Sequence, residues 1–119
     1  MRVYAVIWAP NAIRDLDDIL DYVASTRDAD DADAERLYLR IVPRINRLAR
    51  FPRRARLVPE LRRVGVREYR ELIVSPYRIL FRIVEQTVAI LGVLDGRRDL
   101  SEIILKRALE PLPFDDPGG

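Results

Sequence analysis

The sequence predicts an α+β domain in the order β–α–α–β–β–β–α, with a helical hairpin laid across one face of a mostly antiparallel sheet. Three observations carry this. One short β-branched run is followed by two segments with apolar residues at helical spacing. Three apolar runs then succeed one another across Ser75-Pro76 and Glu85–Thr87, connectors short enough for hairpins. A last short helical segment closes the order. Helices grouped together and strands grouped together mark α+β architecture, and 119 residues suffice for one core without disulfides or metals.

Residues 2–8, rich in β-branched and aromatic side chains, read as the first strand. Pro10-Asn11 opens a helix with Ile13, Leu16, Ile19, Leu20 and Val23 on one side, while Asp15, Asp17, Asp18 and Asp21 read as its solvated face. An acidic link at Asp28–Asp33 suits the start of a second helix. That helix, about residues 31–50, buries Ala34, Leu37, Tyr38, Ile41, Ile45 and Leu48 and sets Arg36, Arg40, Arg44, Arg47 and Arg50 opposite them. Pro43 lies inside the pattern and predicts a bend within one helix.

Phe51-Pro52 ends the helix, and Arg53–Gly65 reads as a basic loop with a turn at Pro59. Three strands follow, at about Val66–Val74, Tyr77–Glu85 and Thr87–Leu94. Asp99 and Glu102 are spaced as a capping box for a helix to Leu109, with Leu100, Ile103, Ile104 and Leu105 on its apolar side. The organisation expected is one domain over residues 1–109 and a mobile, proline-rich tail over 110–119.

Cysteine and histidine are both absent. Disulfides, thiol nucleophiles and the usual zinc sites are therefore excluded, together with the side chain best suited to proton transfer near neutral pH. No metal or cofactor motif is present. No apolar run approaches the roughly 18 residues that span a bilayer, and the N-terminal run lacks signal-peptide features, so a cytoplasmic protein is expected. Charge is segregated. Residues 1–35 carry three arginines against nine acids, whereas residues 36–63 carry ten arginines against Glu60 alone.

The stripe on the second helix reads either as a surface for phosphate or an acidic partner, or as a solvated face neutralised by the acidic first helix. Arg78 and Arg82 alternate with Tyr77, Ile79, Phe81 and Ile83, and so point to the opposite sheet face. With Arg70, Arg97 and Arg98 they compose either an anion-facing cluster on a face free of helices, or surface arginines paired with Glu68, Glu71 and Glu85. The meander also leaves a second apolar face, including Leu80, that needs cover.

The chain resembles the RelE/ParE superfamily of type II toxin–antitoxin toxins. The resemblance rests on Trp8-Ala9-Pro10 with Ala12, Asp15, Leu16, Ile19 and Tyr22, on Pro52, Val58-Pro59-Glu60-Leu61 and Arg67-Glu68, and on Tyr77-Arg78-Ile79 and Gly96-Arg97-Arg98-Asp99-Leu100. Pro43, the proline-rich tail and Ala55-Arg56 depart from the pattern. The resemblance implies a toxin held in a hetero-oligomer by a small antitoxin, ParD-like or other. RelE-like members are ribosome-dependent messenger-RNA endonucleases, and two of their arginines match Arg78 and Arg98. Their lysine pair is matched by Tyr69 and Glu71, and their late tyrosine by Ile104, so the residues look closer to ParE-like members, which poison DNA gyrase by protein contact. No catalytic residue is then expected, and a degenerate, non-toxic binding module is the third reading. Candidate target contacts are Arg70, Arg78, Arg82, Arg97 and Arg98; candidate antitoxin contacts are Leu16, Leu20, Tyr38, Arg40, Arg47 and Leu80.

Overall fold

A computed structural model describes residues 3–26 and 31–114. The chain runs β1 (Ala5–Trp8), α1 (Pro10–Ser25), α2 (Asp31–Asn46), β2 (Arg56–Leu57), α3 (Pro59–Arg62), β3 (Tyr69–Val74), β4 (Tyr77–Val84), β5 (Thr87–Asp95) and α4 (Ser101–Leu109). Short 3₁₀ turns at Arg47–Ala49 and Pro52–Arg54 link α2 to β2. One five-stranded sheet has the order β1-β5-β4-β3-β2, and only the β1–β5 pair is parallel. The predicted α+β order is therefore present. The loop expected at Arg53–Gly65 additionally holds β2 and α3. Residues 1–2, 27–30 and 115–119, including parts of the expected first strand, acidic link and tail, lie outside the described residues.

Two cores flank the sheet. Successive side chains on a strand point to opposite faces, so Tyr77, Ile79 and Phe81 of β4 pack with Leu16 of α1 and Ile41 and Ile45 of α2. Leu80, between them, joins Tyr69, Val58, Leu61, Leu100 and Ile104 on the other side. The second apolar face thus needs no partner to cover it, because α3 and α4 already do. β5 lies between both cores and is buried from Val88 to Leu94, which is why its sequence is almost uninterruptedly apolar. Its alternation reverses at a bulge: Leu80 pairs with Gly92 and Phe81 with Ile90, leaving Leu91 as the extra residue. Val88, Ile90 and Val93 consequently all face the first core.

Helix details depart from periodicity at the margins. Ile13, Tyr38 and Leu105, expected inside, are 49%, 44% and 51% exposed. α2 continues through Pro43 as one helix. Its arginines are not neutralised by the acids of α1. Arg36 pairs with Asp33, Arg40 donates to the Ser75 carbonyl, and Arg44 donates to Ile73 O at 3.3 Å. β2 pairs only with Glu71 and Arg70, so the rest of that β3 edge would otherwise present bare carbonyls. At α4, Asp99 accepts Ser101 N at 3.1 Å and Ser101 Oγ at 2.9 Å. The cap therefore closes two residues on, in place of the expected Asp99–Glu102 box, because buried Leu100 occupies the cap position.

β1 ends at Trp8, opposite Ile90, and the outer edge of β5 continues without a strand beside it. Asp15 and Arg107 take the place of that strand. Asp15 Oδ2 accepts Val93 N at 3.0 Å, Arg107 Nη1 donates to Leu91 O at 2.8 Å, and the two side chains pair through two 2.7 Å bonds. Gly92 permits the approach, since a Cβ there would lie 3.0 Å from Arg107 Nη1. Glu110, the first residue of the expected mobile tail, accepts from Asn11 Nδ2 at 2.8 and 2.9 Å, and Leu112 packs on the second core.

Arg107→Met strands a mostly buried carboxylate and is expected to cost about 3–5 kcal/mol. Asp15→Asn/Arg107→Met is expected to cost clearly less than the sum of the two single changes. Urea denaturation of all four forms of this cycle measures it, and strict additivity would show that the pair is not a coupled unit.

Candidate functional site

The arginines of the meander are the natural starting point, because Arg78 was the residue best placed to meet a phosphate. β4 aims Arg78 toward the second core, and the segment Val58–Leu61 carries Glu60 to meet it. Val58 and Leu61 are buried and anchor α3 against the sheet. Glu60 then receives both terminal nitrogens of Arg78 at 2.7 Å. On the other side Arg78 Nε donates to Glu71 Oε1 at 2.7 Å, and the second Glu71 oxygen is held by Arg56. Glu71 is only 3% exposed. A buried carboxylate is tolerable there because guanidinium groups meet both of its oxygens.

The electrostatic result is a neutral Arg56–Glu71–Arg78–Glu60 chain. The Arg78 hydrogen bonds hold the Glu60 carboxyl below the usual glutamate range, and Glu60 in turn pushes the Arg78 guanidinium upward. Arg78 thus remains charged while its charge is spent on two carboxylates. No free anion cradle forms around it.

The other target candidates are also dispersed into local roles. Arg70 Nη1 donates to Ala55 O at 2.6 Å and Arg53 O at 3.1 Å, fastening β3 to the segment before β2. Arg82 lies over the Tyr69 ring with its guanidinium carbon 5.7 Å from the centroid. Arg97 grips Asp95 through a 2.7 Å bond and draws that carboxyl down to about 2. Arg98 is exposed and lines a groove of about 530 Å³ between α1, the end of β5 and α4. Asp18, Asp99 and Glu102 share that groove with Arg98 and Lys106, whereas Arg78 does not line it. Of the two readings open from the sequence, the anion-facing cluster does not form among the described residues: α3 and α4 occupy the second sheet face, and Arg78 is paired with glutamates, Glu71 among them.

Among the antitoxin candidates, Leu16 and Leu80 are 7% and 2% exposed and belong to the two cores. Both are removed from any partner while the fold is intact. Leu20 is half-buried, Arg47 is exposed, and Arg40 is engaged at Ser75. Tyr38 and its neighbour Leu39, exposed at 44% and 59%, present apolar surface on α2. Leu39 escaped sequence reasoning because an apolar residue next to a buried stripe looks like its margin. Asp15 reads in the sequence as one of the solvated acids of α1, and only its helical position beside Leu16 and its place in the Trp8–Tyr22 pattern set it apart.

The family model described as the ParE toxin of type II toxin–antitoxin systems, parDE, matches residues 6–100. A solved structure described as the chromosomal ParDE TA system from P. aeruginosa superposes with a TM-score of 0.65 at 21% identity, covering 80% of this chain and 98% of that one. The likeness extends over the sheet and its helices and bears on fold. No curated protein sequence matches the chain. Among the described residues no helix is long and apolar enough to cross a membrane.

Glu60→Gln is expected to destabilise the protein by about 1.5–3 kcal/mol at neutral pH, the usual range for a hydrogen bond to a charged group. The folded carboxyl lies below its ordinary 4.5, so this stabilisation is complete above that value and is lost as pH falls through the lowered folded one. Thermal melting of both proteins from pH 7 to pH 3 measures the gap, which should narrow only on the acid side.

Proposed function

Because the chain belongs to the ParE toxin family of type II toxin–antitoxin systems, we propose that it inhibits DNA gyrase by protein–protein contact and is neutralised by an antitoxin. The observation that carries the choice of a non-catalytic mechanism is the capture of Arg78 by Glu60 and Glu71. An arginine that must clamp a scissile phosphate cannot keep both sides of its guanidinium on carboxylates. The positions matched to ribonuclease groups support the same reading. Tyr69 gives its hydroxyl to Ala108 O at 2.6 Å, Glu71 is the buried bridge, and Ile104 is 2% exposed in the second core. These side chains are engaged in packing and internal bonding, so none of the three is available for general acid–base chemistry.

Under this reading the target contacts shift to the exposed arginines at the end of β5, with Arg98 foremost and Arg97 beside it. Arg78, opposite Leu94, braces that end of the sheet from within, while Arg70 and Arg82 keep their internal roles elsewhere on it. The antitoxin contacts fall on the outer surface of the helical hairpin, where Leu20, Tyr38 and Leu39 offer apolar area and Arg47 offers charge to an acidic segment. Both encounters take place in the cytoplasm.

Expression without antitoxin is expected to stall DNA replication and filament the cells while protein synthesis continues at first. Purified protein should inhibit gyrase supercoiling, and Arg98→Glu should weaken that inhibition by about tenfold, the loss of roughly 1.4 kcal/mol. Pulse labelling of DNA and protein synthesis, alongside a supercoiling assay, tests this. Immediate arrest of translation with codon-positioned messenger cleavage and unaffected gyrase would assign the chain to the ribonuclease branch.

A further inference from the structure

The segment between α2 and β3 carries a basic surface outside the contacts proposed above for antitoxin and gyrase. β2 brings Arg56 and Leu57 to the sheet edge, and α3 begins immediately after at Pro59. The chain then turns at Gly65, whose φ of +84° is accessible to glycine without strain. Val66 N closes the turn on Leu61 O at 2.9 Å. This reversal returns Arg67 beside Arg62 and Arg63. Together Arg56, Leu57, Pro59, Arg62, Arg63 and Arg67 line a hollow of about 470 Å³.

No carboxylate lines that hollow, and all four of its arginines are exposed. The side chains of Arg62, Arg63 and Arg67 make no hydrogen bond or ion pair with the described residues. Two acids of the adjoining segments are already committed, and exposed Glu68 does not line the hollow. Glu60 feels the charge of Arg63 but is held by Arg78, and Glu71 is held by Arg56 and Arg78. The Arg56–Glu71–Arg78–Glu60 chain therefore keeps these two acids away from the hollow.

We propose that this hollow binds the phosphate backbone of a DNA duplex without reading its sequence. The guanidinium groups of Arg62, Arg63 and Arg67, which pair with no carboxylate among the described residues, gather an atmosphere of small anions. A polyanion that replaces those ions gains the entropy of their release. One phosphate group brings a charge of only about −1.5 to −2, whereas a run of adjacent phosphodiesters supplies one partner to each arginine in bidentate geometry. Arginine clusters also take acidic peptides, but the modes that add main-chain or apolar contacts to such a peptide, a sheet edge, a helix groove or an aromatic channel, have no place here. Here β2 is two residues long, α3 is one of four, and no aromatic lines the hollow. Single-stranded nucleic acid needs an aromatic platform for its bases; Phe51, exposed in the same segment, has Arg54 over its ring at 4.2 Å. The helix at the hollow, α3, is too short to enter a major groove, so the contact stays on the backbone. This inference is independent of the gyrase reading.

The test is fluorescence anisotropy of the purified chain with labelled duplexes of about two helical turns and unrelated sequences, over a range of salt concentrations. Three phosphate contacts, from Arg62, Arg63 and Arg67, predict a slope of log K against log salt of about −2.7. Arg62→Ala/Arg63→Ala should weaken binding at least about tenfold and reduce the slope by about 2, and Arg67→Gln alone should reduce it by about 1. Arg14→Ala/Arg36→Ala, which removes equal charge from α1 and α2, should leave the affinity within about threefold. Melting curves confirm that each variant is folded, and the Arg67→Gln slope decides the matter if the double variant is not. The proposal is overturned if the wild-type chain does not bind duplex, or if the pocket variants bind as well as it does. Oligoglutamate competing as strongly as duplex would also overturn it and assign the hollow to an acidic protein, and tighter binding of single strands would do so in favour of unpaired nucleic acid.

Discussion

The pairing of Asp15 with Arg107 is the constraint from which the rest of the arrangement follows. β5 is central and buried on both faces, yet its parallel neighbour β1 stops at Trp8. Backbone groups left bare there would each cost on the order of 1–3 kcal/mol. Asp15 supplies the acceptor for Val93 N and Arg107 supplies the donor for Leu91 O, so a side-chain pair substitutes for the missing strand. The same pair fastens α1, on one face, to α4, on the other. Charge is tolerated in that place because each ion completes the other and both complete the backbone.

The Leu91 bulge belongs to the same construction. Without the extra residue Val93 would point toward α4, and the edge groups would not meet Asp15. With it, Val93 faces the first core and Leu94 the second. Gly92 leaves the space that the guanidinium occupies. A β-bulge, a glycine and two charged residues far apart in the chain are thus parts of one solution to one backbone problem.

Arginine performs three distinct tasks in this protein, and the partners of each guanidinium separate them. Arg78 and Arg107 are largely buried and tie elements together through carboxylates. Arg40, Arg44 and Arg70 are cap-like donors to carbonyls along the edges of the sheet and the turns beside it. Arg62, Arg63, Arg67 and Arg98 keep their charges directed outward, where long-range fields act on partners. Charge counted along the sequence therefore overstates the available basic surface. It also misplaces it, since the arginines alternating along β4 are among those most fully engaged.

The periodicity of apolar residues by itself determined the element order, the helical hairpin and the meander, because burial of Leu16, Ile41, Ile79 or Phe81 follows from spacing that local chain geometry enforces. The same logic told Arg78 and Arg82 apart from Ile79 and Phe81 by face. Spacing could not tell that the opposite face was already filled, because Leu61 and Ile104 reach it from distant segments. Nor could it separate Asp15 from Asp17 and Asp18, which have the same chemistry and nearly the same local surroundings. Those assignments depend on contacts such as Asp15–Arg107 and Glu60–Arg78, made between residues separated by 92 and 18 positions. Only the tertiary structure decides which acid reaches which arginine, and therefore which charges remain for a partner.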